Sequence, residues 1–145
     1  MPFVPIHRKT PVTIFDLDIQ RAIRILIVEH DANDLDLLCY TLNKSGIPYQ
    51  PEIVDSKKTF RKVLINFVPD IILSDFSLPA FSGAEAFEIR QQIAPHIPFI
   101  FVSGNIGEET LLELIKNGLT DYVTKDKLFT LIFKITRALK EAMEK

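Results

Sequence analysis

The chain has 145 residues, 47% of them hydrophobic and 25% charged, a composition that fits one globular domain with a hydrophobic core. Its formal net charge is -2 and its Lys and Arg residues form no block, which argues against a nucleic-acid-binding surface, because such surfaces need clustered positive charge. No apolar run approaches the ~20 residues that a membrane-spanning helix needs, and the single Cys39 excludes an internal disulfide.

Residues 1–22 differ from the rest of the chain. Pro2, Pro5 and Pro11 favour extended backbone and no helical period is present, so the sequence predicts an arm or linker ahead of a domain at 23–145. The segment lacks the long apolar core of a signal peptide. Together with the single cysteine, this predicts a cytoplasmic protein.

From Ile23 onward, short apolar runs alternate with amphipathic stretches. Gly46 is a typical helix stop and Ser56 a typical helix N-cap. Pro51 interrupts the second apolar run, which suits only an edge strand, because proline donates no hydrogen bond to a neighbouring strand. The elements predicted in this half are a strand at 24–28, a helix at 33–46, a strand at 49–54 and a helix at 56–67.

The second half of the chain repeats this order. Ser82 and Glu85 have the spacing of a capping box at the start of a helix. The predicted strands are 70–75, 98–104 and 121–125, and the predicted helices start at Ser82, pass through 111–115, and start again at about Lys127. Alternating strands and helices predict an α/β fold, (βα)5, with a doubly wound five-stranded parallel sheet covered by helices on both faces.

Polar side chains follow four of the predicted strands, and the carboxyl ends of parallel strands meet in one crevice. We therefore expect these side chains to lie close together. A carboxylate can accept a phosphoryl group, neighbouring acids can hold a divalent cation, and a hydroxyl and an ammonium can stabilise the transferred group. The residues are Glu29 and His30 after the first strand, Asp75 after the third, Ser103 after the fourth and Lys125 after the fifth.

Four stretches, RILIVEHD, IILSDFSLPAFSG, PFIFVSGNIGEE and DYVTKD, are similar in order and spacing to the motifs of the response-regulator receiver domain. The resemblance covers residues 23–144 and implies a flavodoxin-like fold with strand order 2-1-3-4-5. It implies a two-component signalling protein whose Asp75 accepts a phosphoryl group from a sensor histidine kinase or a phosphotransfer protein. By the same match, Ser103 and Tyr122 are the switch residues, and Lys125 is the lysine that contacts the phosphoryl group.

A histidine departs from the family's pattern at the metal site. The resemblance places the direct metal contact at His30, where an acid is usual, and further metal contacts at Glu29, Asp75 and the backbone carbonyl of Ser77. Mg²⁺ prefers oxygen ligands, whereas borderline ions such as Mn²⁺ tolerate an imidazole better. Three interpretations stay open: the histidine weakens a working Mg²⁺ site, it shifts the metal preference towards Mn²⁺, or the site has lost phosphorylation. In the last case the domain would be a pseudo-receiver that serves as a protein-interaction module, but the retained acceptor, hydroxyl and ammonium argue against it.

The last predicted helix carries more apolar residues than one buried face requires. Phe129 and Phe133 form a second ridge at i, i+4. Family members often dimerise or bind partners through helix 4, strand 5 and helix 5, so the resemblance implies an interface with a downstream protein or a second copy. Burial of this ridge by the N-terminal arm is the alternative. No separate substrate pocket is indicated, so we expect no enzyme activity beyond self-phosphorylation and loss of that phosphate.

Overall fold

The computed structural model describes residues 21–104 and 106–144. In chain order the elements are β1 (Ile23–Val28), α1 (Ala32–Ser45), β2 (Tyr49–Val54), α2 (Lys57–Asn66), β3 (Ile71–Ser74), α3 (Gly83–Ile93), β4 (Phe99–Ser103), α4 (Glu108–Lys116), β5 (Asp121–Thr124), a 3-10 helix (Lys125–Thr130) and α5 (Leu131–Met143). The arm predicted for residues 1–22 lies almost wholly outside the described residues and stays a prediction.

The five strands form one parallel sheet in the order β2-β1-β3-β4-β5, which confirms the predicted fold class and strand order. Pro51 lies in β2, at the edge of this sheet, where its missing N–H does not interrupt the hydrogen bonds between two central strands. The edge position read from one proline therefore agrees with the observed order.

Both faces of the central strands β1, β3 and β4 are buried, which explains why their sequences are almost continuously apolar rather than alternating. In β1, Ile25 and Ile27 belong to the core under α1 and α5. Leu26 and Val28 point the other way and belong to the core under α2 and α3. The second core holds a set of aromatic rings in contact with one another: Phe76, Phe87, Phe99 and Phe101.

The helix stop and the two helix N-caps predicted for α1, α2 and α3 are confirmed. Gly46 follows α1 with a φ of 80°, a left-handed conformation that glycine adopts without strain. Ser56 caps α2 by accepting the Thr59 N–H, and Ser82 and Glu85 form the capping box of α3. The strand register then places the carboxyl ends of β1, β3, β4 and β5 along one edge of the sheet.

The last two helices differ in how they pack. α5 starts at Leu131, later than the predicted Lys127, because residues 125–130 form a 3-10 helix that is interrupted by a non-helical backbone at Lys127. α4 contains no fully buried residue: Leu111 and Leu114 are half-buried, and Leu112 and Ile115 are exposed. Among the described residues, no helix combines the length and the apolar character that crossing a membrane requires.

Candidate functional site

Asp75 lies at the centre of the cluster formed by the strand ends. It follows β3, its backbone N–H donates to the carbonyl of Val28, and it is only 7% exposed. The Ser103 hydroxyl lies 3.3 Å from Asp75 Oδ1, and Lys125 Nζ lies 3.3 Å from Asp75 Oδ2. The fold thus brings together three polar residues that the sequence places at the ends of three different strands.

The ammonium of Lys125 contacts three carboxylates at once. Its Nζ lies 2.6 Å from Asp34 Oδ2, 3.3 Å from Glu29 Oε1 and 3.3 Å from Asp75 Oδ2. Burial alone would lower the pKa of Lys125, but the hydrogen bond with Asp34 and the charges of Asp75 and Glu29 outweigh burial and raise it. Lys125 therefore stays charged and offsets part of the carboxylate repulsion.

The sequence pattern does not point to Asp34, although this residue makes the shortest of the three contacts. Asp34 lies in the first turn of α1, where its backbone N–H donates to the side chain of the N-cap residue Asp31. Strand ends alone identify the other members of the cluster. Asp34 lies in the first turn of α1 rather than at a strand end, so that signal does not reach it.

Glu29 is the most buried carboxylate of the cluster, with its side chain 5% exposed. Burial raises its pKa, the backbone N–H of Asp31 opposes this by donating to Oε2 at 3.2 Å, and the charge of Asp75 raises the pKa further. A buried acid next to a second acid disfavours two negative charges. A cation at this position would stabilise both.

The donor set fits a divalent cation. Glu29, His30 and Asp75 each offer one ligand atom, and these atoms all lie within 4.8 Å of one another. Two carboxylate oxygens and one imidazole nitrogen are donors that Mn²⁺ and related borderline ions accept, whereas Mg²⁺ prefers oxygen throughout. The Ser77 N–H lies 3.4 Å from Asp75 Oδ1, which puts this residue beside the cluster, while the role of its carbonyl stays a prediction.

His30 lies at the solvent side of the cluster. Its side chain is 40% exposed, and its Nδ1 lies 3.9 Å from Glu29 Oε2. The imidazole is therefore close enough to share an ion with the two carboxylates, and exposed enough to turn away from them into water.

The predicted switch residues lie on neighbouring strands. Ser103 is buried at the end of β4, and Tyr122 is half-buried on β5 against the core beneath α2 and α3. The ammonium of Lys134 lies 5.3 Å from the centre of the Tyr122 ring. Both residues are in place for the role that the resemblance implies, and that role stays a prediction.

Phe129 and Phe133 are exposed, at 72% and 51%. Phe129 lies in the 3-10 helix and Phe133 in α5, and α4 exposes Leu112 and Ile115. Large apolar side chains thus point to solvent from the elements in which the resemblance implies an interface. The alternative cover, the N-terminal arm, lies outside the described residues.

Gly83 packs against the backbone that carries Asp75. A Cβ at this position would lie 2.5 Å from the Asp75 carbonyl oxygen and 2.6 Å from the Phe76 Cα. The Gly83 N–H also donates to the Phe76 carbonyl at 2.9 Å. The first residue of α3 therefore packs directly on the backbone of Asp75 and Phe76, and only glycine allows this approach.

Gly83→Ala is expected to lower the free energy of unfolding by about 1–3 kcal/mol, because the added methyl group overlaps backbone atoms that cannot move independently of the sheet. Urea unfolding followed by circular dichroism measures this change. Gly104→Ala is the matched control: its Cβ meets nothing within 4 Å, so we expect a change of less than about 0.5 kcal/mol. Equal losses in the two variants would contradict the packing argument.

Comparisons with known proteins agree with this geometry. The model of the family "Response regulator receiver domain" matches residues 25–136. The phosphate regulon transcriptional regulatory protein PhoB of Klebsiella pneumoniae is 30% identical over 104 residues, which are 70% of this chain and 44% of that protein. The chain thus spans less than half the length of this curated relative.

Two solved structures have the same fold. A CheY-like response regulator receiver domain protein from Methanospirillum hungatei has a TM-score of 0.75 and 27% identity, covering 86% of this chain and 98% of the other. The Mn²⁺-bound form of response regulator Rcp1 has a TM-score of 0.64 and 23% identity, covering 82% of this chain and 92% of the other.

Proposed function

Because the chain belongs to the response regulator receiver domain family, we propose that it accepts a phosphoryl group on Asp75 and changes conformation to signal to a partner protein. One observation carries the proposal: Asp75 lies between the Ser103 hydroxyl and the Lys125 ammonium, beside donors that fit a divalent cation. A buried acid with these neighbours suits phosphoryl transfer, which depends on positioning and charge stabilisation.

In the proposed reaction, a carboxylate oxygen of Asp75 attacks the phosphorus of a phosphohistidine on a sensor kinase or phosphotransfer protein. The new O–P bond forms as the P–N bond breaks, and the electron pair leaves with the donor's imidazole. Lys125 and Ser103 donate hydrogen bonds to the transferred group, since both already contact Asp75. The product is an aspartyl phosphate, and the domain performs no other chemistry except loss of this phosphate to water.

Glu29, His30 and Asp75 are the residues proposed to hold a divalent cation, with the Ser77 carbonyl as a further ligand. When bound, the cation neutralises charge on the phosphoryl oxygens. The imidazole weakens binding of Mg²⁺ and favours Mn²⁺ by comparison, since Mn²⁺ accepts nitrogen ligands more readily. The Mn²⁺-bound Rcp1 structure supports Mn²⁺ as an ion that this fold accommodates.

The proposed output surface consists of α4, β5 and α5. Charge on Asp75 would draw Ser103 and Lys125 towards it, and Tyr122 would follow Ser103, changing this surface. The exposed Phe133 of α5, with the exposed Phe129 in the 3-10 helix between β5 and α5, supports its use as the contact with a downstream protein or with a second copy of the chain.

A second candidate function rests on His30, which replaces an acid in the metal site. If the imidazole prevents ion binding, the domain is a pseudo-receiver that binds partners without being phosphorylated. The intact acceptor cluster around Asp75 favours the first function.

Intact-mass analysis after incubation with acetyl phosphate tests the proposal. We expect a single phosphate adduct in Mn²⁺, less in Mg²⁺ and none in chelator, because the acceptor carboxylate needs a counter-ion before an anionic donor can approach. If no adduct forms in either ion, the experiment is repeated with a phosphorylated kinase domain as donor. If no adduct forms with that donor either, the pseudo-receiver function stands instead.

A further inference from the structure

Lys125 has no donor to spare in the unphosphorylated protein. An ammonium carries three N–H groups, and three carboxylates lie within hydrogen-bonding distance of its Nζ. The shortest of these contacts is to Asp34 at 2.6 Å, whereas Asp75 is at 3.3 Å, longer than the usual distance for a charged pair. The ammonium thus lies closer to Asp34 than to Asp75.

The three carboxylates differ in how easily they can lose this ammonium. The Asp34 side chain is 38% exposed, whereas those of Glu29 and Asp75 are 5% and 8% exposed. A buried carboxylate that loses its counter-ion is strongly destabilised, but an exposed one is rehydrated by water. Breaking the contact between Lys125 and Asp34 therefore costs less free energy than breaking either of the other two contacts.

A phosphoryl group on Asp75 adds oxygens and negative charge on one side of the ammonium only. These oxygens need donors of Lys125 that are now engaged, so the phosphoryl group and Asp34 compete for the same cation. α1 is anchored on the sheet by Leu38 and Leu42, so the Asp34 backbone does not follow the ammonium.

We propose that Asp34 is a positioning residue that restrains Lys125 in the unphosphorylated state, and that it thereby lowers the affinity of the site for a phosphoryl group. The inference rests on the proposed function, since it assigns a regulator to the same acceptor site. Asp34 acts only through Lys125 and does not touch the reacting atoms.

The test is the binding of beryllofluoride, a phosphoryl analogue, at saturating Mn²⁺, followed by ¹⁹F NMR. Asp34→Asn keeps the size of the side chain and removes its charge, so we expect tighter binding by roughly threefold to fivefold, the scale of a partly exposed ion pair. The affinity for Mn²⁺ alone is measured for each variant, so that saturation is established independently.

Asp36→Asn is the matched control, because Asp36 is an exposed acid on the same helix and lies outside the Lys125 cluster. We expect it to leave beryllofluoride binding unchanged. In a Lys125→Met background, Asp34→Asn should have no more effect than Asp36→Asn. A purely structural role of Asp34 would not depend on Lys125 in this way.

The outcomes separate the inference from the proposed function. If the natural protein binds beryllofluoride but Asp34→Asn binds it equally or more weakly, the inference is wrong and the proposed function stands. If the natural protein binds none in Mn²⁺ or Mg²⁺, both are wrong.

Discussion

Asp75→Asn is expected to abolish the metal-dependent phosphate adduct completely. A carboxamide is a poor nucleophile, so no acyl phosphate forms, and the same change replaces one of the two carboxylates at the candidate cation site by a neutral amide. Intact-mass analysis with acetyl phosphate in Mn²⁺ measures the loss. The variant is expected to fold, because the amide keeps the size of the side chain and relieves the repulsion between Asp75 and the buried Glu29.

Asp55→Asn is the matched control for this experiment. Asp55 follows β2 as Asp75 follows β3, but it is exposed at the edge of the sheet and lies outside the Lys125 cluster. It should keep the full adduct. An adduct that survives Asp75→Asn would place the phosphoryl group on another residue and would contradict the assignment of Asp75 as acceptor. The neighbouring His30 would be the first residue to examine.

His30→Asp is expected to raise the affinity for Mg²⁺ by about two orders of magnitude. Substituting a residue that only hydrogen-bonds to a metal ligand already changes metal affinity by up to about 100-fold, and here the ligand itself changes. The reason is that the donor set changes from two oxygens and a nitrogen to three oxygens, which a hard ion prefers. Affinity for Mn²⁺ should change less, so the difference between the two ions narrows. Titration of each ion, followed by NMR or calorimetry, gives both constants.

His96→Asp makes the same substitution at an exposed position between α3 and β4 and should leave both metal affinities unchanged. If His30→Asp also leaves Mg²⁺ affinity unchanged, the imidazole lies outside the coordination sphere in solution. The partly exposed side chain would then point into water.

The edge position of β2 and the cluster around Asp75 could be predicted because each depends on local signals, whereas the full strand order followed from the family resemblance. A proline marks the edge strand, and polar residues at the ends of apolar runs must meet at one edge of a parallel sheet. Asp75, Ser103 and Lys125 come together for that reason alone. The family motifs add the expectation that Asp75 is the residue that accepts a phosphoryl group.

Asp34 could not be predicted in the same way. Its contact with Lys125 joins residues 91 positions apart and depends on how α1 packs on the sheet and how far the lysine stem reaches. The carboxylate of an acidic residue in the first turn of a helix can point in many directions, and only the packed structure shows which group it contacts. The start of α5 is a similar case, since Lys127 has no sequence feature that announces its non-helical backbone.

Among the described helices, α4 alone buries no residue fully, so we expect it to open locally before the others. A helix that buries no residue fully has few contacts to break, so the free energy needed for its local opening lies well below that of global unfolding. α4 also follows β4, whose last residue is Ser103. On the proposed function, a small displacement at a phosphorylated Asp75 therefore reaches the helix whose rearrangement is least opposed, and the energy of one added charge need not disturb the rest of the core.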